Sequence, residues 1–377
     1  DGRPIEFAVP ESLMPRADLI LLETDEAELV LHDIPEPPVP SFLHGFSAPV
    51  KLRYAYSAEA LANTLLHEAD GFLRWESSQR LMFEAMAECM SGAPGVHHAA
   101  LLQALRVLAA NPPQDKALLA ELLRLPAESE LAAQIEPLNP LLAAEARDAL
   151  RVAIAQALTG PLSVGAAWAP LELTAENLAR RSLARLALGY LGALDAPSLR
   201  RLALERAASP NMSLAMGGLN ALRDRDSAER VAAMDDFHHR FQADPLVLDK
   251  WFALEAASSR PGAVERIRAL LTHPDFQPNP NRIRSVLGTF MRENLRGFHA
   301  ADGGGYRLLA AEIGRVDQSN PQLAARLVEG LLISRRLAEP FAGLMRESLQ
   351  ELSARDLSRD VREKVSKALG ASDAAEA

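Results

Sequence analysis

Nine histidines stand in the chain, and their spacing decides whether any could hold a metal. His67-Glu68-Ala69-Asp70-Gly71 opens like the helical zinc motif His-Glu-x-x-His, which needs two imidazoles at i and i+4 on one helix face. Glycine occupies the place of the second imidazole, so the motif is broken. His97-His98 and His238-His239 are adjacent pairs, which a helix turns to different faces; they read as solvated or capping side chains. His32, His44 and His273 have no partner at ligand spacing. His299, between an aromatic and a turn, reads as a structural hydrogen-bond partner. No Gly-x-Ser-x-Gly nucleophile elbow occurs. Gly303-Gly304-Gly305 lacks the Gly-Lys-Ser/Thr ending and the preceding strand of a phosphate loop. It reads instead as a tight backbone turn ahead of a helix near Tyr306. Cys89 lies in an apolar helical run and reads as a small buried side chain rather than a nucleophile.

What remains is cationic. Arg282 and Arg284 follow the helix start Asn279-Pro280-Asn281, and two residues apart they point to different faces, so at most one faces any given cavity. Arg326 follows Asn320-Pro321 in a later helix. Each guanidinium is either part of an inter-helix or surface ion pair or a fork on a concave surface, ready for a carboxylate. The first two lie in Leu246–Tyr306, the stretch that gathers scarce aromatics, paired charges and the triple glycine. The rest of the chain is largely Ala/Leu helix.

The elements that must position these groups follow from composition and periodicity. With 48% hydrophobic residues but only 5% aromatic, the apolar content is mainly Ala, Leu and Val, which favours helix packing over sheet. Residues 1–56 nevertheless read as β. Ile5–Val9, Leu19–Leu22, Glu26–Leu31 and Val50–Tyr56 are short apolar or alternating runs, and Pro35, Pro37, Pro38 and Pro40 make an extended connection or edge. About four short strands amount to a small, incomplete β-sandwich. From the N-cap Ser57 to Leu369 the pattern is helical. Asn111-Pro112, Asn139-Pro140, Ser209-Pro210, Asp244-Pro245, Asn279-Pro280 and Asn320-Pro321 each place a capping side chain before a proline at the first helical position. Residues 159–173 read as the longest non-helical connection, and Ala371–Ala377 should fray. No strict sequence repeat is present. The expected fold is mainly α: a superhelix of stacked antiparallel helix pairs of the ARM/HEAT kind over residues 57–377, preceded by the partial sandwich over 1–56.

The formal net charge of -10 gives no polyanion-binding signature, and the basic residues are interleaved with acidic ones, so a nucleic-acid partner is not expected. A single cysteine cannot form an internal disulfide; this points to a reducing, cytoplasmic setting. No run approaches the roughly 18–20 apolar residues of a membrane span. Asp1-Gly2-Arg3-Pro4 lacks the features of a signal peptide and reads as a cut boundary.

Several long motifs, in order, resemble a known family. They are Pro38-Val39-Pro40-Ser41 with Phe46-Ser47-Ala48-Pro49-Val50-Lys51-Leu52, then Asp249-Lys250-Trp251-Phe252, Asn279 through Ser285, and Phe298-His299-Ala300 with Asp302-Gly303 and Gly305-Tyr306. Together they look like the C-terminal part of the bacterial aminopeptidase N family of M1 zinc metallopeptidases, nearly end to end. The resemblance implies a β-sandwich and helical superhelix that follow a catalytic domain in the same polypeptide. That domain would carry the zinc, the His-Glu-x-x-His motif, a distant Glu ligand, a Gly-x-Met-Glu-Asn element and a catalytic Tyr. None of these is matched here, so the resemblance assigns this chain no catalytic, metal-binding or cofactor-binding residue, and no activity of its own. Met291-Arg292-Glu293-Asn294 carries an inserted Arg and no strand context. The chain is implied to cap the active-site chamber and to meet peptide substrates, with Arg284 and Arg326 as the arginines lining it. The alternative is a stand-alone helical-repeat module that binds proteins or peptides on its concave surface.

Overall fold

The computed structural model describes residues 2–3, 5, 19–30, 34, 36–127, 130–131 and 134–370. Before Ser57 these residues run as extended and bent chain with one 3-10 turn, His44–Phe46. The described part holds no paired strand there; Leu19 carries an isolated bridge. Most of Ile5–Val9 lies outside the described residues. Val50 and Tyr54, one face of the alternating run Val50–Tyr56, are 61% and 41% exposed. An alternating strand is stabilised by neighbouring strands, and none lies alongside this one among the described residues. Tyr56 instead anchors the segment to the helices, with the Arg80 guanidinium 5.0 Å from its ring centroid.

From Ala58 onward the chain is helical, and local cap chemistry sets most of the starts. Ser57 accepts the Ala60 N–H at 3.1 Å. Asn139, Asp244, Asn279 and Asn320 each cap a helix that begins with proline. Two expected caps are displaced. Asn111 ends the helix Val96–Ala110, and Asp115 caps the next one, Lys116–Leu122. Pro113 accounts for this, because a residue before proline is pushed out of the helical region. Asn211, not Ser209, caps Met212–Leu222, and Ser209 Oγ accepts the Asn211 N–H at 3.1 Å.

Residues 159–173 also differ from expectation. Thr159–Ala167 is a helix, and the non-helical connection shrinks to 168–174. Pro161 falls in the first turn, where its missing N–H has no partner to lose. The new helix packs on Ala175–Leu191.

Helices adjacent in sequence pack on one another. Ala58–His67 lies on Gly71–Met90, Pro197–Ala207 on Met212–Leu222, and Phe341–Ser353 on Arg359–Leu369. Short loops between packed neighbours make such pairs antiparallel. The stack also closes on itself. Helix Pro140–Ala157 touches Leu295–Phe298, where Arg296 reaches Asp148 at 3.0 Å. Leu138 and Leu337 form a parallel bridge: Leu138 N–H donates to Arg336 O at 2.8 Å, and Ala338 N–H to Leu138 O at 2.8 Å. One apolar core accordingly runs from Ala58 to Val365. A second core, around Leu219, Met234 and Phe237, lies within the helices of residues 197–257. Ala221 and Trp251 pack against both.

Candidate functional site

Asp244 starts the site by capping Pro245–Ala257, accepting the Leu246 and Val247 N–H groups at 3.0 and 3.2 Å. That helix presents Asp249 and Phe252 to Arg282. The Arg282 Nε donates to Asp249 Oδ1 at 2.5 Å, and one terminal nitrogen donates to the Asp275 carbonyl at 2.5 Å. The guanidinium lies 4.4 Å from the Phe252 ring centroid, and the residue is only 3% exposed. Arg282 therefore locks the helix start at Asn279 onto its neighbours and offers nothing to a cavity.

Arg284 does the opposite. It opens a π-helical turn, Arg284–Gly288, a local irregularity often found at functional sites. It is exposed. Its Nε donates to Pro280 O at 2.9 Å and a terminal nitrogen to Asn281 Oδ1 at 3.1 Å. These bonds tether the guanidinium to its own helix start and leave the rest of its five donors to solvent. Arg326 is exposed on Pro321–Leu327 and pairs with no described residue. Beyond these two elements, Met291 of the helix Thr289–Glu293 meets Gly330 of the 3-10 helix Val328–Arg336, where a Cβ would come 2.6 Å from Met291 Sδ. Among the described residues the guanidinium groups of Arg284 and Arg326 make no bond to each other.

The close of the stretch is a packing knot. Phe298 makes edge contacts with Phe290 and Tyr306 at 5.7 and 5.2 Å. A Cβ on Gly305 would stand 2.2 Å from the Phe298 carbonyl oxygen, and Gly303 has φ +71°. Both positions demand glycine, one for space and one for conformation. His299 Nδ1 lies 2.6 Å from the Tyr306 hydroxyl. Burial pushes the imidazole down to about 3 and the phenol up from its ordinary value, so this is a neutral, structural pair, as the sequence suggests. Asn294, in the segment that superficially resembles a catalytic element, holds the Ala256 and Ser258 carbonyls at 3.0 and 2.7 Å.

The histidine pairs fare differently. Glu88 accepts the N–H groups of Gly95 and His98 on Oε2 and of His97 on Oε1, each at 3.0 Å, and His97 Nδ1 also lies 2.9 Å from Oε1. Burial opposes ionisation of Glu88, but these bonds outweigh it and hold the carboxyl down at about 2. Cys89 is half-buried, and burial raises its thiol, which disfavours a thiolate nucleophile. His238, expected as a solvated or capping member of the pair His238-His239, and His273, expected to have no partner at ligand spacing, come together with Asp275. His238 Nε2 is 2.9 Å from Asp275 Oδ2, and His273 Nδ1 is 3.8 Å from it. No spacing rule would find this cluster, because His238 and Asp275 are 37 residues apart.

Two concavities escaped the sequence reading as well. One, of about 330 Å³, is bordered by Arg124, Arg147, Arg151, Arg185 and Arg223. Carboxylates already attend three of these, with Arg124–Glu121, Arg151–Asp148 and Arg223–Asp224 at 2.7, 3.1 and 2.9 Å. The other, of about 500 Å³, lies between Arg260, Arg268, Arg296 and Arg307 and includes Glu265 and Asp302. Among the described residues no helix is long and apolar enough to cross a membrane.

Residues 58–370 match the family model described as domain of unknown function (DUF3458_C) ARM repeats. The chain is 37% identical to aminopeptidase N of Caulobacter vibrioides, covering 94% of this chain and 42% of that protein. It is 33% identical to aminopeptidase N of Escherichia coli, over 91% of this chain and 41% of that one. It therefore spans about two fifths of the length of these relatives. Its fold matches the crystal structure of Legionella pneumophila aminopeptidase A in complex with aspartic acid at TM-score 0.80 and 26% identity, over 91% of this chain and 43% of that one. The chain belongs to the DUF3458_C ARM-repeat family and corresponds to a helical part of bacterial aminopeptidase N.

Proposed function

We propose that this chain is the C-terminal, non-catalytic part of a cytoplasmic M1-family zinc aminopeptidase, which removes N-terminal residues from peptides. In this reading the helical stack forms the rear wall and cap of a chamber whose zinc is held by the rest of the polypeptide. Residues 1–56 complete a β-sandwich with segments that precede them. His67-Glu68-Ala69-Asp70-Gly71 does not complete the zinc motif, since Gly71 stands where the second imidazole would be, and Asn294, in the segment that superficially resembles the Gly-x-Met-Glu-Asn element, is committed to backbone carbonyls. The chemical step therefore assigns nothing to these residues.

The observation that carries the reading is the contrast between Arg282 and Arg284. Two residues apart, one guanidinium is buried in an ion pair and the other is tethered at the surface with donors to spare. An arginine fork of this kind suits a carboxylate. Arg284 and Arg326 would hold the C-terminal carboxylate or acidic side chains of a bound peptide, so that remote binding energy positions the N-terminal bond for cleavage.

The test uses the full-length polypeptide. Arg284→Ala and Arg326→Ala should each lower kcat/KM for peptides by about tenfold, some 1.4 kcal/mol, while a small aminoacyl chromogenic substrate changes by less than about twofold. Equal losses on both substrate classes would overturn the assignment.

A further inference from the structure

We propose that His238, His273 and Asp275 form a binding site for a divalent transition-metal ion of the zinc class. His238 comes from the helix Ala228–Phe241. His273 and Asp275 come from the loop that follows Ala263–Leu271. Their ligand atoms all lie within 4.8 Å of one another. In a tetrahedral zinc site with bonds of about 2.0–2.2 Å, neighbouring ligand atoms stand about 3.3 Å apart. The separations from Asp275 Oδ2, 2.9 Å to His238 Nε2 and 3.8 Å to His273 Nδ1, bracket that spacing. Small side-chain rotations bring all three onto one ion.

The protonation pattern suits the ion too. His273 Nδ1 accepts the Asp275 backbone N–H at 3.1 Å, so the neutral ring carries its proton on Nε2, and an ion takes the Nδ1 lone pair by displacing that hydrogen bond. His238 Nε2–H donates to Asp275 Oδ2 at 2.9 Å. A metal ion takes that proton's place and releases it to solvent. The charges balance as well. Arg282 donates to the Asp275 carbonyl, but Asp249 pairs its charge at 2.5 Å. The partners of the Asp275 carboxylate are the two histidines themselves, His238 and His273.

The surroundings hold the ligands in place. The Phe276 N–H donates to His273 O at 2.8 Å, and Arg282 fixes the Asp275 carbonyl at 2.5 Å. Trp251 donates its Nε1–H to Met234 O at 3.2 Å. Its ring stands 4.7 Å from the His238 ring and 5.3 Å from the His273 ring. All three ligand residues are half-buried, so solvent can supply the fourth ligand. Bound there, the ion would staple the helix Ala228–Phe241 to the loop that leads into Arg282 and Arg284.

The full-length polypeptide, stripped with a chelator and dialysed against Zn²⁺, gives the test. The parent should retain one more equivalent of zinc than His238→Ala or His273→Ala. His239→Ala, an exposed neighbour, should retain the parent's complement. Because the readout is a difference between variants, metal bound elsewhere in the polypeptide does not enter. Co²⁺ should also quench a fluorescence component that Trp251→Phe removes without losing the zinc equivalent. Where an alanine variant fails to fold, His238→Gln and Asp275→Asn, which keep side-chain volume, decide by the same count. Equal zinc content in the parent and the folded ligand variants, or no Co²⁺ quenching assignable to Trp251, overturns the proposal.

Discussion

Two neighbouring arginines show how one residue's surroundings separate structure from function. Arg282 is 3% exposed and its partner Asp249 carboxylate only 16%. Removing one member of such a pair leaves a buried charge uncompensated, which costs about 3–5 kcal/mol. Arg282→Ala should lose about that much in urea denaturation, and Arg282→Lys should recover only part of it, because an ammonium cannot reach Asp249 and the Asp275 carbonyl together. Arg284→Ala, exposed, should stay within about 0.5 kcal/mol of the parent. Similar losses at both positions would contradict this division of labour. Glu88 gives a pH-dependent counterpart. Its carboxyl is held down at about 2 in the fold, against about 4.3 in a free chain. The fold's preference for the ionised form therefore contributes stability above pH ~4.3 and loses it as the pH falls towards 2. Glu88→Gln should cost about 1–3 kcal/mol at pH 7. Measured across acid pH, the gap to the parent should narrow below pH ~4.3; a constant gap would mean that the carboxylate's charge is not what holds the start of Val96–Ala110.

At the scale of the element, close approach matters more than any single bond. Gly218 sits where Met212–Leu222 crosses Pro197–Ala207, and a Cβ there would stand 2.3 Å from Ala203 O and 2.4 Å from Ala207 N. The neighbouring atoms are backbone and cannot rotate away, so Gly218→Ala must part the helices. It should destabilise by about 1–3 kcal/mol; a urea midpoint within error of the parent would show that the crossing relaxes freely. This scale also separates what the sequence discloses from what it hides. Ser57, Asn139, Asp244, Asn279 and Asn320 were legible as caps because cap chemistry involves residues two or three apart. Asn111 and Ser209 misled because a second proline and a rival asparagine sit within the same few residues. The helix Thr159–Ala167 was hidden by Gly160-Pro161, which reads as a stop but is tolerated in a first turn. His299 was legible through its aromatic neighbours. The burial of Arg282 was not, since it depends on Asp249, 33 residues away. The same holds for the cluster of His238, His273 and Asp275. Arg284 could be nominated from the sequence, but only the structure shows its tether to Pro280 and Asn281.

For the whole molecule, the question is whether the stack behaves as a line of repeats or as a closed body. In an open solenoid each unit touches only its neighbours, and stability is a sum of local terms. Here the core that begins at Ala58 also contains Val365, and the bridge between Leu138 and Leu337 ties residues far apart in sequence. The surface ion pair of Arg296 with Asp148, 37% and 42% exposed, adds at most about 1 kcal/mol, so the shared apolar core must do the joining. The helices of residues 197–241 contribute most of the buried side chains of the second core, although Met212–Leu222 also packs on Ala175–Leu191. Native-state hydrogen exchange resolves these cases by the free energy at which each segment opens. The amides of Gly71–Met90, Pro140–Ala157 and Gly304–Asp317 should share one highest opening free energy. Those of Pro197–Ala207, Met212–Leu222 and Ala228–Phe241 should open together at a lower one. A smooth gradient of protection from one end of the chain to the other is the signature of an open stack, and finding it would refute the closed arrangement. Phe237→Ala sharpens the comparison, since Phe237 is fully buried in the second core. Its loss of about 3–5 kcal/mol should appear in the lower opening event, while amides of the first core keep their protection relative to one another.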